Sequence, residues 1–146
     1  MTRLANIPFA DIQIGDQRQY TKTLTERDLQ LFAETSGDFN PVHLDADYAA
    51  TTAFGERIAH GMWSGALISA AIATTLPGPG SIYRSQTLKF SKPVKLGDTI
   101  TITLTVLDKK DRTRLVTLEC TGTNQRGETV VKGEAEVIAA TESIQF

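Results

Sequence analysis

The sequence predicts an α+β domain in which one antiparallel sheet of about five strands wraps around a long central helix. Three observations point there. Helical patterns fill the first half of the chain and strand patterns the second, without the alternation of strand and helix that builds a parallel sheet. Residues Gly61 to Leu76 are a 16-residue stretch with no charge, the composition of a helix covered by protein. In residues 99–107, Ile100, Ile102, Leu104 and Val106 alternate with threonines, the period of a strand with one buried face.

Taken in order, the turn at Gly15-Asp16 opens a first strand over 17–24. Thr25 is placed as an N-cap, with Glu26 and Asp28 in the first turn at the positive end of the helix dipole. Leu29, Phe32 and Ala33 share one face of helix 26–36, and Gly37 stops it. The segment DFNPVHLD, 38–45, is too rich in Asp, Asn and Pro for regular structure and is expected as an ordered loop, with Pro41 keeping Asn40 out of the helical region. Asp45 caps a short helix from Ala46 to about Ala53, ended by Gly55. The uncharged helix starts beyond His60 and meets the PGPG breaker at 77–80. A strand is expected over 82–90, and after Pro93 and the Gly97-Asp98 turn comes the strand 99–107. The turn DKKDR leads to a strand over 113–121, with Val116, Leu118 and Cys120 on one face, and NQRG leads to a last strand over 128–138. Short polar connections of this kind join antiparallel neighbours in a meander. No repeat or linker composition interrupts residues 1–146, so a single domain is expected.

Composition removes several classes. A domain of 146 residues buries about 68–70% of its unfolded surface, enough for one substantial core. With 40% hydrophobic and 22% charged residues the chain is neither disordered nor a coiled coil. Fifteen Lys+Arg against seventeen Asp+Glu, with no basic block, make nucleic acid an unexpected partner. The apolar stretch 61–76 falls short of the roughly 18–20 residues of a membrane span, so no membrane association is expected. The opening residues lack a secretory apolar stretch and carry Asp11 and Asp16, and the single cysteine, Cys120, has no disulfide partner within the chain. A cytoplasmic location is expected.

Chemistry concentrates around two histidines, His43 and His60, both close to the acidic loop that opens with Asp38. An Asp and a His five positions apart, with Asn40 and Pro41 between them, can point into one cavity and exchange protons near neutral pH. Gly61 opens the uncharged helix, where free N–H groups and the positive helix end meet and a missing Cβ admits a substrate oxygen. Acid/base groups beside such an oxyanion site suffice to hydrate or dehydrate a thioester at its second and third carbons, without metal or cofactor. Taken singly, these residues equally suit structural roles: Asp38 and Asn40 as turn caps, His43 as a loop histidine, His60 as a ring that bonds the loop, Gly61 as a small residue at a crowded helix start. A metal site of the two histidines with Asp38 or Asp45 has no H-x-H, H-x3-H or C-x2-C spacing behind it. Cys120 belongs to an inward strand face, and no serine sits in a G-x-S-x-G elbow.

Together, SGDFNPVHLDADYAATTAFGERIAHGM, residues 36–62, resembles the hydratase motif of the MaoC-like family, and most closely that of the (R)-specific enoyl-CoA hydratases. The similarity continues through LPGPGSIYRSQTLKFSKPVKLGD, 76–98, into the meander. The resemblance implies a hotdog fold, with the segment 37–57 as an overhang above the site and dimers with joined sheets. It implies Asp38 and His43 as the catalytic pair acting through one water, Asn40 as a residue that orders the site, and the Gly61 N–H as part of an oxyanion hole. The implied reaction is reversible syn addition of water to a trans-2-enoyl-CoA, giving an (R)-3-hydroxyacyl-CoA, with coenzyme A entering as part of the substrate. Trp63, Leu67, Ser69 and Ile72 are candidates for the acyl pocket, with core packing as their other reading. Arg84, Lys89, Lys92 and Lys95 are candidates for the CoA phosphates, with solvated surface charge as theirs. A dehydratase for carrier-protein-linked substrates keeps the same motif. A hotdog thioesterase typically places a carboxylate on the central helix, and 61–76 has none. A non-catalytic acyl-CoA-binding module would lose the Asp/His pair, which this chain keeps.

Overall fold

The structure, a computed structural model, describes residues 3–146. Its sheet grows from the alternation in the second half of the chain. β4 (Thr99–Lys110) and β5 (Leu115–Thr123) turn Ile100, Ile102, Leu104, Val106, Val116, Leu118 and Cys120 inward, where all are fully buried. β1 (Gln17–Thr23) lies against β4, and β6 (Thr129–Ile138) lies against β5. β2 (Ile82–Gln86) and β3 (Lys89–Phe90) both pair with β6 on its far side, giving the order β1-β4-β5-β6-β2 with every pairing antiparallel. On the outer face Thr21 meets Thr101 and Thr23 meets Thr99 through side-chain hydrogen bonds, the polar side of the period-2 pattern.

The concave face of this sheet holds α4 (Gly61–Thr74), whose Trp63, Leu67, Ile68, Ala71 and Ile72 enter one core with the inward residues of the strands. α1 (Glu26–Ser36) precedes it. Thr25 and Asp28 form a reciprocal capping box, and Gly37, at φ +79°, closes the helix with its N–H on the Ala33 carbonyl, as the residue types require. The expected fold is therefore present: a hotdog arrangement of five to six antiparallel strands around a central helix.

Four local expectations change. The segment 38–45 is not irregular throughout: Asn40 caps a one-turn helix, α2 (Pro41–Leu44), because proline at the first helical position brings a suitable φ and needs no donor. The following helix, α3 (Ala46–Ala50), stops before Ala53, where the hydroxyls of Thr51 and Thr52 turn back onto the carbonyls of Tyr48 and Ala49. The strand 82–90 is broken at Thr87-Leu88, which crosses directly over Gly133 of β6. And α4 is not covered on all sides: Met62, Ala66 and Ala73 form an exposed stripe along it.

The crossing at Gly133 permits no side chain. A Cβ there would lie 1.7 Å from the Thr87 carbonyl oxygen and 2.6 Å from its carbon, both backbone atoms. Gly133→Ala is expected to cost about 3 kcal/mol, the upper part of the overpacking range, and to lower the midpoint of thermal unfolding by roughly 6–12 °C. A midpoint within 2 °C of wild type in a calorimetric scan would contradict the close approach.

Candidate active site

α2 and the start of α4 bring the sequence motif together in space. Asp38 follows the αL glycine that ends α1, and its backbone is held from both sides: its N–H donates to Ser36 Oγ at 3.1 Å, and its carbonyl accepts from His60 Nε2 at 2.9 Å. Asn40 donates its N–H to Asp38 Oδ1 at 3.1 Å and accepts the Val42 N–H on its own Oδ1 at 3.2 Å. One residue thus aims the carboxylate and caps the helix that carries His43.

His43 is buried, and its Nδ1 lies 2.8 Å from the Ile58 carbonyl. A carbonyl oxygen only accepts, so Nδ1 bears the proton and Nε2 is bare in the neutral ring. That bare Nε2 faces Asp38 Oδ2 at 3.9 Å, too far for a direct hydrogen bond, with the carboxylate half exposed. Of the pair, His43 lines the smaller of the two cavities described below, and Asp38 lines neither but stands against it through this 3.9 Å approach. Burial, opposed by the Ile58 and Asp38 contacts and aided by His60, holds the His43 pKa below its ordinary 6.5. The sign is that of a group kept uncharged by the fold: His43 remains a free base at neutral pH and takes its proton only below the ordinary value. The kcat/KM for its reaction is accordingly expected to stay level through neutral pH and to fall only below pH 6.5. A rate profile from pH 5 to 8 with an acid limb centred above 6.5 would contradict this.

Beside the pair, the Gly61 N–H has no acceptor within α4, of which it is the first residue. A cavity of about 330 Å³ joins His43, His60 and Gly61 to Ser64, Phe54, Phe90, Lys92, Val94 and Val130. A second, more open cavity of about 650 Å³ runs along the exposed stripe of α4, between Met62, Ala66 and Ser69 on the helix and Tyr83, Gln86 and Leu88 on the sheet edge. Phe32 of α1 lines this second cavity, and its ring stands 4.9 Å from that of His60.

Not every candidate is brought to the site. Ser69 lines the larger cavity, but Trp63, Leu67 and Ile72 are buried in the core and line neither, because they fall on the side of α4 turned to the sheet. Their core reading is the one the geometry favours. Of the cationic candidates, Arg84 lies on the larger cavity and Lys89 stands opposite Lys132 on the outer sheet edge. Lys92 and Lys95 lie together on a third cavity with Arg126, but Lys92 holds Glu128 at 2.6 Å, Lys95 holds Glu56 at 3.4 Å and Arg126 bonds Asp98 and Glu128. Arg126 was not a sequence candidate; it sits in a hairpin turn with no motif around it. Nor were Phe54, Ser64 and Phe90, although Ser64 follows Gly61 by one helical turn, a spacing that points to it. Cys120 is core, its thiol pushed up to about 11 by burial.

Asp38, His43 and His60 also place metal-binding atoms within 4.8 Å of one another. The two imidazoles, however, are stacked, with centroids 3.8 Å apart and planes only 26° from parallel. Stacking holds their in-plane lone pairs in two near-parallel planes, which works against the convergence a tetrahedral cation requires.

A carboxylate and a bare imidazole nitrogen 3.9 Å apart, near the N–H that opens α4, supply the kind of groups hydro-lyase chemistry uses, on a hotdog frame. The chain belongs to the MaoC like domain family, whose model matches residues 11–126. It is 48% identical over 130 residues to an (R)-specific enoyl-CoA hydratase of Rhodospirillum rubrum, spanning 89% of this chain and 90% of that one. The solved R-hydratase PhaJ1 from Pseudomonas aeruginosa superposes with a TM-score of 0.96 at 56% identity, covering 99% of this chain and 93% of its own. An (R)-hydratase from Aeromonas caviae, described as involved in PHA biosynthesis, superposes with a TM-score of 0.85 at 38% identity, over 88% and 97% of the two chains. No helix among the described residues is long and apolar enough to cross a membrane.

Proposed function

We propose that this chain is an (R)-specific enoyl-CoA hydratase, adding water reversibly and syn to a trans-2-enoyl-CoA. The observation that carries the reading is the 3.9 Å gap between Asp38 Oδ2 and the bare Nε2 of His43. A water about 2.8 Å from each atom closes a triangle across that gap. Its oxygen attacks C3 while one of the pair removes a proton, and electron density moves through C2 to the thioester oxygen. The Gly61 N–H and the positive end of α4 meet that charge. Collapse of the enolate takes a proton at C2 from the same pair, so hydroxyl and hydrogen arrive on one face. One water is consumed, the proton balance returns to zero, and no cofactor takes part. Dehydration is the reverse.

The larger cavity, with Met62, Ala66, Ser69 and Leu88 on its walls, suits the acyl chain, and the smaller one with Lys92 at its edge suits the thioester end. The product, an (R)-3-hydroxyacyl-CoA, is a precursor for polyester synthesis, in keeping with the Aeromonas relative, and a cytoplasmic location fits a chain whose one cysteine is buried and free. The exposed apolar stripe of α4 and the open edge at β2 support a homodimer with joined sheets. The test is the ultraviolet absorbance of crotonyl-CoA and of a medium-chain trans-2-enoyl-CoA, with chiral analysis of the product. Loss of the enone signal with an (R)-3-hydroxyacyl product is expected. Release of free thiol would instead mean a thioesterase, no reaction with CoA substrates but turnover of the carrier-protein thioester a carrier-linked dehydratase, and tight binding without turnover an acyl-CoA-binding module.

A further inference from the structure

We infer that His60 is a positioning residue of this reaction, fixing Asp38 through its Nε2–H and His43 through its ring; the inference rests on the hydratase reading above. His60 is buried, and Nε2 lies 2.9 Å from the Asp38 carbonyl, so the neutral ring carries its proton there and leaves Nδ1 bare. Nδ1 is buried and has no hydrogen-bond partner among the described residues. The two histidines therefore hold opposite tautomers: His43 protonated at Nδ1 toward Ile58, His60 at Nε2 toward Asp38.

A buried acceptor without a donor is unfavourable, and an apolar ring at this position would avoid it. At His60 the cost of the unsatisfied Nδ1 is set against the other features of the ring, all of which are in use. Nε2–H anchors the main chain of the residue whose carboxylate faces the reaction space. The ring packs face to face on His43, with Phe32 on α1 tilted against it 4.9 Å away, so the His43 ring is clamped between this stack and its bond to Ile58. His60 is also the N-cap of α4, and its peptide link to Gly61 carries the oxyanion donor. The side chain of His60 holds carboxylate and base, and its main chain leads into the oxyanion N–H.

The chain has two histidines, so an untagged protein with ring nitrogens labelled gives two imidazole systems by long-range proton–nitrogen NMR. Opposite tautomers are expected, His60 as Nε2–H and His43 as Nδ1–H. His60→Phe keeps a stacking ring but loses the donor; His60→Gln keeps an amide donor but loses the ring. His60→Phe is expected to lower kcat for crotonyl-CoA about 30-fold or more with KM within about threefold, and His60→Gln to recover part of that loss. In both, the His43 titration is expected to move to higher pH, because the second imidazole beside it is gone while the Asp38 carboxylate and Ile58 carbonyl remain. A His60 proton on Nδ1, both variants within about threefold of wild-type kcat, or a kcat loss with an unmoved His43 titration would each overturn the assignment. If His60→Phe fails to fold, His60→Gln and the wild-type tautomers decide. If the wild type leaves crotonyl-CoA unchanged, the hydratase reading falls, and the tautomers and the His43 titration in His60→Gln still judge the placement.

Discussion

Asp38→Asn and His43→Gln are each expected to lower the hydration rate by about 10³-fold, close to 4 kcal/mol of transition-state stabilisation, while the protein stays folded. Asparagine keeps an oxygen to accept the Asn40 N–H, so the turn into α2 survives, but its amide can neither take nor return a proton. Glutamine in place of His43 retains a donor for the Ile58 carbonyl and loses the bare nitrogen 3.9 Å from Asp38. Because one pair both removes and delivers a proton, the losses are expected to be far from additive: the double variant should be little slower than the worse single one. Steady-state rates on crotonyl-CoA, with circular dichroism to confirm folding, test this. Single variants within tenfold of wild type would remove Asp38 and His43 from the chemistry.

The sequence carried the frame well where periodicity is strong. The threonine-alternating strand at 99–107, the capping box of Thr25 and Asp28 and the stop at Gly37 all follow from local rules that tertiary contacts do not override here. The geometry of the Asp38–His43 segment was equally legible, because Asp38, Asn40, Pro41 and His43 belong to one short capped turn. What lay beyond reach depends on partners distant in the chain. The break at Thr87 is imposed by Gly133, 46 residues later, and nothing within 82–90 announces it. The division of α4 into a sheet face and an open face is invisible in a helix with no charge on any side, so Trp63, Leu67 and Ile72 could not be told from Ser69. The stacking of His60 on His43 joins residues 17 apart and has no spacing rule of its own.

The open stripe of α4 leads to the other large effect. Met62 is 55% exposed and Ala66 and Ala73 continue the stripe, on a helix with no charge to keep it in water. Ile82 and Tyr83 are exposed on β2, at an edge of the sheet whose backbone is free to pair. A second copy related by a two-fold axis would lay helix against helix and edge against edge, so that the same surface is buried twice and the two sheets become one. Ala66→Arg would bring two guanidinium groups toward each other at such an axis, and the measured mass is expected to fall from a dimer to the 15.9 kDa of one chain. Ala66 also lines the larger cavity, whose open side lies along this stripe, so activity should fall by about tenfold or more with the dimer. Ala73→Arg separates the two effects: it stands two helical turns further on, outside the cavity lining, yet on the same stripe. If Ala73→Arg also becomes a monomer and loses activity, the partner completes the acyl cavity. If it becomes a monomer and keeps activity, one chain suffices for catalysis, and if both variants retain the wild-type mass in light scattering, the stripe is not an interface between copies of this chain.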